Sequence, residues 1–380
     1  QPPLPLAVIR QQALAHNIAW MQDFAAARGV QLAPHGKTTM SPQLFRRQLD
    51  AGAWGLTFAN VHQLRLGLAA GARRALIANQ LVGATDLAEL LDLRRRHAGV
   101  EIAFFVDSPA QLDLIAAHWP GGDELKLDVL IELGTTRCGL REHGPALALA
   151  RALKTHPALR LRGIGFYEGL QVAGETAPDQ ALMQQWQARV EALLADIEAE
   201  GLADVRPLWL SGGGSALFDL VAPVIAGKPG RLGLLRSGCY VCHDHEHYGR
   251  YVGAIDARLG APSLQPALEV WTQVLSTPEP GLALLNAGRR DVSFDQGWPV
   301  PVWQLENGER VKAPAGWRVT GLNDQHAYLR WDPAECDGPA VGERVALGPS
   351  HPCTTFDKWA WMAIVDEGDR VVDAITTHFA

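Results

Sequence analysis

The sequence predicts an α/β chain in which a (β/α)8 TIM-type barrel is followed by a C-terminal antiparallel β domain. Three observations carry that prediction. Short β-type runs alternate with amphipathic helical stretches eight times between Val30 and Val241. No dinucleotide-type glycine fingerprint accompanies them, which favours a closed barrel over an open doubly wound sheet. After Leu264 the long helical patterns stop, and seven of the twelve tryptophans lie there (Trp271, Trp298, Trp303, Trp317, Trp331, Trp359, Trp361) among short β-type runs and Gly- and Pro-containing turns. The 380 residues accommodate a barrel of about 250 residues with a module of about 130.

The barrel strands are expected at Val30–Pro34, Gly55–Asn60, Arg74–Asn79, Glu101–Val106, Lys126–Glu132, Leu159–Tyr167, Val205–Ser211 and Gly233–Val241. Between them, Leu182, Trp186, Val190, Leu193 and Ile197 recur at spacings of four, four, three and four, which marks one face of a helix. Leu14, Ile18 and Met21 do the same for the first helix. In the β domain, Ala267–Leu275, Trp317–Leu322 and Ala327–Trp331 read as strands, and Leu6–Arg10 is placed to pair with them. The expected division assigns residues 11–255 to the barrel, and 1–10 with 256–380 to the β domain.

Composition narrows the function. Thirty-four basic against 41 acidic residues give a net charge of −7 without a basic stripe, which excludes a nucleic-acid groove. No apolar run reaches the roughly 20 residues of a membrane span, and the start lacks a secretory layout. Five cysteines, an odd number in so long a chain, read as reduced thiols in the cytoplasm.

In such barrels chemistry collects at the carboxyl ends of the strands. Here those ends bring His35-Gly36-Lys37, Asn60, Asn79, Asp107, Glu132 with Arg137, Tyr167-Glu168, Ser211-Gly212-Gly213-Gly214-Ser215 and Gly238-Cys239-Tyr240. By position alone, Lys37 reads equally as a solvated loop lysine or a reactive amine. The glycine run follows the seventh strand, where barrels of this kind often bind phosphate, and its N–H groups can approach an anion closely. A phosphate at strands seven and eight with a lysine at strand one suits pyridoxal phosphate.

Pro34-His35-Gly36-Lys37-Thr38, Arg137-Cys138-Gly139, Gly165-Phe166-Tyr167, Ser211-Gly212-Gly213-Gly214 and Pro349-Ser350-His351-Pro352-Cys353 occur in one order. In this the sequence resembles fold-type III pyridoxal phosphate enzymes, and within them the D-threonine aldolase and D-serine dehydratase group, related to alanine racemase through its barrel. The resemblance spans nearly the whole chain and implies a homodimer acting on a small D-amino acid. It implies Lys37 as the lysine bonded to the cofactor, Arg137 beside its phenolate oxygen, and Tyr167 as a neutral partner near its pyridine nitrogen. Ser211, Gly213, Gly238 and Cys239 map to the phosphate cup, with Tyr248 as a further member.

His351-Pro352-Cys353 can be a buried thiol beside a hydrogen-bonding imidazole, or a metal pair whose side chains at i and i+2 of an extended segment share one side. The resemblance implies the metal pair, and thiolate plus imidazole favours Zn²⁺ over Mn²⁺ or Mg²⁺. Two decoys sit in Cys239-Tyr240-Val241-Cys242-His243-Asp244-His245-Glu246-His247: a haem-attachment spelling and a second zinc set. Both are set aside because Cys239 and Cys242, three apart on a strand, would face opposite sides. His326 reads as a loop-orienting residue, while Arg289, Arg290 and Asp291 read either as a substrate-carboxylate site or as an ion pair.

Two reactions follow from a D-β-hydroxy amino acid. Removal of the Cα proton by Lys37, with a metal assisting departure of the β-hydroxyl, gives an α-keto acid and ammonia. Removal of the hydroxyl proton instead gives glycine and an aldehyde. The resemblance implies, for the aldolases, Tyr-His-Gly followed four residues later by a second His that serves as this base; this chain has Tyr167-Glu168-Gly169 and then Ala173. Elimination is therefore expected, with aldol cleavage as the alternative through Glu168. A racemase would have no use for a metal, and a non-catalytic pyridoxal phosphate carrier would be a lone barrel.

Overall fold

The computed structural model describes residues 2–119, 125–306 and 308–379. The chain divides into two compact units, residues 21–37 with 44–238 and residues 1–20 with 38–43 and 239–380.

The first unit holds eight parallel strands: Gln31–Leu32, Leu56–Phe58, Arg74–Gln80, Glu101–Val106, Leu127–Leu133, Leu159–Phe166, Leu208–Gly212 and Arg231–Leu235. Each from the second to the eighth pairs with the next, and the eighth pairs with the first through Gln31↔Leu234 and Leu32↔Leu235. Between first and second, an isolated bridge of His35 with Thr57 brings the ring near closure. The fold is thus the nearly closed parallel barrel that the alternating runs predict. Leu76, Ala103, Phe105, Leu130, Trp209 and Leu234 fill its interior. Two glycines of the sixth strand make room for them. A Cβ on Gly163 would lie 1.9 Å from the Trp209 carbonyl oxygen, and one on Gly165 would lie 2.4 Å from the Phe105 ring.

The helix Thr176–Ala199 buries Met183, Trp186, Val190, Leu193, Leu194 and Ile197, and Trp186 stacks on Phe166 at 5.0 Å. Leu182 is only half-buried, because Met183 falls on the inner face at i−3 from Trp186. The eighth strand departs further from expectation. It ends at Leu235, and Cys239–Val241 form a 3₁₀ turn whose Cys239 carbonyl accepts the Cys242 N–H at 3.3 Å and the His243 N–H at 2.7 Å. The strand-alternation argument for Cys239 and Cys242 therefore does not apply.

The second unit is built on a sheet ordered Glu309–Lys312, Val300–Glu306, Arg344–Gly348, Leu268–Glu279, Leu6–Arg10, Trp361–Val365 and Val371–Thr376. Leu282–Leu285, Ala327–Arg330 and Arg318–Leu322 extend it as a branch from Leu268–Glu279. All pairings are antiparallel except Leu6–Arg10 with Trp361–Val365. The N-terminal strand thus joins this later sheet, as its sequence suggests. Leu6, Val8, Trp271, Ala346, Ala363 and Val365 form one apolar cluster on it. No helix among the described residues is long and apolar enough to cross a membrane.

Candidate active site

In the barrel, Lys37 sits exposed in the 3₁₀ turn Gly36–Thr38 that follows the first strand. Gly36 is required there, since a Cβ would stand 2.6 Å from the Phe58 ring and 2.8 Å from that of Phe45. His35 is held neutral: burial, then the charges of Lys37, Arg236 and Arg137, push its pKa well below the usual imidazole value. Arg137 is exposed and stands over the Tyr167 ring at 5.2 Å. Its loop is fixed by Asp107, whose Oδ2 accepts the Gly139 N–H at 2.8 Å. Glu132 is buried beneath, with its pKa raised by desolvation although Gln80 donates to Oε2 at 2.5 Å.

The glycine run is tied down rather than loose. Ser211 is fully buried and its hydroxyl donates to the Leu234 carbonyl at 3.3 Å; the Ser237 hydroxyl donates to that of Gly214 at 2.9 Å. Gly213 has φ +85°, which a side chain would make strained. Glu168, wholly buried, accepts the Gly213 N–H at 3.2 Å on Oε2 and the Gly214 N–H at 2.8 Å on Oε1. The Gly213 N–H expected at a phosphate is therefore engaged by a carboxylate of the chain itself. Arg236, at the neighbouring strand end, adds a guanidinium beneath this run. It is buried over Phe105 at 5.3 Å, donates Nη2 to the Phe166 carbonyl, and feels the carboxylates of Glu168 and Glu132. A solvent-open amine, a guanidinium over an aromatic ring and glycine backbone at two neighbouring strand ends fit pyridoxal phosphate.

In the β unit, three donors gather: Cys239, His351 and Cys353, with ligand atoms all within 4.8 Å of one another. The two sulfurs are 3.4 Å apart, and the Thr38 hydroxyl lies 3.4 Å from Cys353 Sγ and 3.7 Å from Cys239 Sγ. His351 and Cys353 do not reach the cluster as an extended pair. Pro352 is α-helical and Cys353 begins the short helix Cys353–Phe356. His351 Nδ1 bonds Asp295 Oδ2 at 2.8 Å, and Thr354 donates to Asp295 Oδ1 at 2.6 Å. Burial opposes a charged His351, yet Cys353 and Asp295 outweigh it and raise its pKa to about 9. The hydrogen bond between the two sulfurs, with His351, holds Cys353 well below the ordinary thiol value, while that bond and burial push Cys239 well above it. An imidazole with two sulfurs fits a soft divalent metal.

The remaining expectations fall elsewhere in this unit. Cys242 is fully buried, with burial pushing its thiol pKa up, and burial holds His243 and His245 neutral with values of about 4. Asp244 Oδ1 accepts the N–H groups of Glu246, Tyr248 and Gly249 at 3.0, 2.9 and 3.3 Å, which caps the helix His247–Leu259. Tyr248 lies in its first turn, its ring 6.4 Å from that of His351. His326 is exposed in a hairpin, where its carbonyl accepts the Asn323 N–H at 2.9 Å. Arg290 pairs with Asp324 at 3.5 Å, and Asp291 accepts the Gly288 N–H at 2.8 Å.

Comparison with known proteins agrees with this geometry. Residues 9–240 match the family model described as alanine racemase, N-terminal domain, and residues 267–365 match a serine dehydratase domain. The chain is 28% identical to a D-threonine aldolase of Arthrobacter sp., covering 93% of this chain and 86% of that protein. It is 29% identical to the D-threo-3-hydroxyaspartate dehydratase of Delftia sp. strain HT23, covering 96% and 94%. Among solved structures, the D-threonine aldolase of Filomicrobium marinum superposes with TM-score 0.82 at 26% identity, covering 99% and 95%. A mutant D-threo-3-hydroxyaspartate dehydratase, solved in a metal-free form, gives TM-score 0.80 at 25% identity, covering 100% and 98%.

Proposed function

The chain belongs to the alanine racemase N-terminal domain family of fold-type III pyridoxal phosphate enzymes, and on that premise we propose that it eliminates water from a D-β-hydroxy amino acid, such as D-serine or D-threonine, to give an α-keto acid and ammonia. Its relatives act on such compounds by both aldol cleavage and dehydration, at nearly equal identity, so identity does not choose between them.

The observation that favours elimination is the placement of Glu168. Aldol cleavage needs a base on the β-hydroxyl, and Glu168 stands where the first of the two aldolase histidines is expected. Its carboxylate is buried and bonded to the Gly213 and Gly214 N–H groups. A base must reach the proton it takes. The position four residues after Gly169 holds Ala173, which offers none.

In this reading Lys37 binds pyridoxal phosphate and moves the Cα proton, while Arg137 and Tyr167 orient the ring. Ser211, Gly213, Gly238 and Cys239, with Tyr248, are assigned to the phosphate, Cys239 through its backbone N–H and Gly213 in competition with Glu168. The cofactor, once bonded to the substrate amine, supplies electron withdrawal from Cα. His351 and Cys353 hold a divalent metal, Zn²⁺ by their softness, and so assist the departing hydroxide. The enzyme works as a cytoplasmic homodimer, a setting with which its five free cysteines accord.

Feeding D-threonine tests the reading. 2-Oxobutyrate with ammonia is the expected outcome; glycine with acetaldehyde as the main products overturns it.

A further inference from the structure

We propose that Cys239 is a third protein ligand of the metal, so that the site is His-Cys-Cys with one position open. The inference rests on the metal dependence proposed above and goes beyond the His351–Cys353 pair.

Its basis is geometry within the β unit. Cys239 Sγ lies 3.4 Å from Cys353 Sγ, and both share one compact donor set with His351. Two thiolates bound tetrahedrally at about 2.3 Å stand about 3.8 Å apart, so a few tenths of an ångström separate the two sulfurs from a coordinating arrangement. They are far from the roughly 2.05 Å of a disulfide. The 3₁₀ turn Cys239–Val241 directs this thiol, and the helix start at Cys353 directs the other. The Thr38 hydroxyl lies within hydrogen-bond reach of both sulfurs. Asp295 holds Nδ1 of His351, which leaves Nε2 as the imidazole donor. Cysteine binds metal as thiolate, so metal entry releases the thiol protons of the site to solvent. Three protein ligands and a free fourth position is the pattern of catalytic zinc, and two sulfurs bias the site against Mg²⁺ and Mn²⁺.

The test counts sulfurs. X-ray absorption on the reduced, zinc-loaded holoenzyme is expected to show two sulfur neighbours, and Cys239→Ala one, with zinc affinity lowered at least tenfold in competition with a chromophoric chelator. Cys239→Ser, which keeps the volume, guards against a folding defect and should also lose one sulfur. One sulfur in the unsubstituted enzyme, or unchanged coordination and affinity in Cys239→Ala, overturns the proposal while leaving the metal-dependent reading intact. Failure of the unsubstituted enzyme to take up zinc or cobalt overturns both.

Discussion

Glu168→Gln separates a carboxylate that holds a loop from one that moves a proton. Glu168 receives two charge-assisted bonds, from Gly213 and Gly214, in a site closed to solvent. The amide keeps one acceptor oxygen and turns an NH₂ group toward the other buried N–H. One charged bond, worth about 1.5–3 kcal/mol, is lost, and an unsatisfied donor adds about 1–3 kcal/mol, so a net loss of about 3 kcal/mol is expected. For a unit of this size that lowers the unfolding temperature by about 6–12 °C, read by scanning calorimetry at matched cofactor saturation. Product identity from D-threonine should not change, and turnover measured well below the transition should fall only modestly. Stability within about 1 kcal/mol of the parent, combined with lost turnover or a change of products, would refute the argument and make Glu168 a base.

Other consequences can be checked independently. Lys37→Ala should abolish the visible absorbance of bound cofactor, and borohydride reduction of the parent enzyme should leave a pyridoxyl group on Lys37; recovery of the label on another lysine refutes the assignment. Asp295→Asn should weaken zinc binding by about 10–100-fold with little change in cofactor absorbance, because it loosens the imidazole rather than removing a ligand; an unaltered zinc affinity argues against the Asp295 role. Burial lowers the pKa of His243 and His245 to about 4 in the fold, below an unfolded value of about 6.5, so the unfolded chain binds more protons between those limits. The stability they contribute is complete above pH 6.5 and lost as pH falls toward 4. Urea midpoints that stay flat across that window contradict this.

Much of the scaffold was legible because the barrel strands are short, mostly buried β-type runs set between amphipathic helical stretches. Arg74–Gln80, Glu101–Val106 and Leu159–Phe166 match their expected positions within a residue. The eighth strand misled because Ser237, Gly238, Cys239 and Tyr240 continue the buried run while the backbone leaves the ladder for a 3₁₀ turn. That His351 and Cys353 lie together could be read from their spacing, but not their helical approach, since Pro352 allows helical as well as extended backbone. Cys239 and Asp295 meet them only through tertiary folding, at sequence separations of 114 and 56. No local spacing carries that signal. Glu168 was visible as a departure from pattern, but its engagement with the glycine run depends on two different strand ends coming together.

The strand Leu6–Arg10 has a bearing on how the chain is made. It is clasped on both sides, by Leu268–Glu279 and by Trp361–Val365, so it leaves the ribosome long before either partner. During synthesis the apolar stretch Leu-Ala-Val-Ile waits, unpaired, while the barrel sequence emerges; such a strand is a site for mispairing between nascent chains. Completion of the β unit is therefore a late, long-range closure, slow by the measure of sequence separation. A fragment that begins after the barrel would lack the middle of its own sheet and present two open edges in its place.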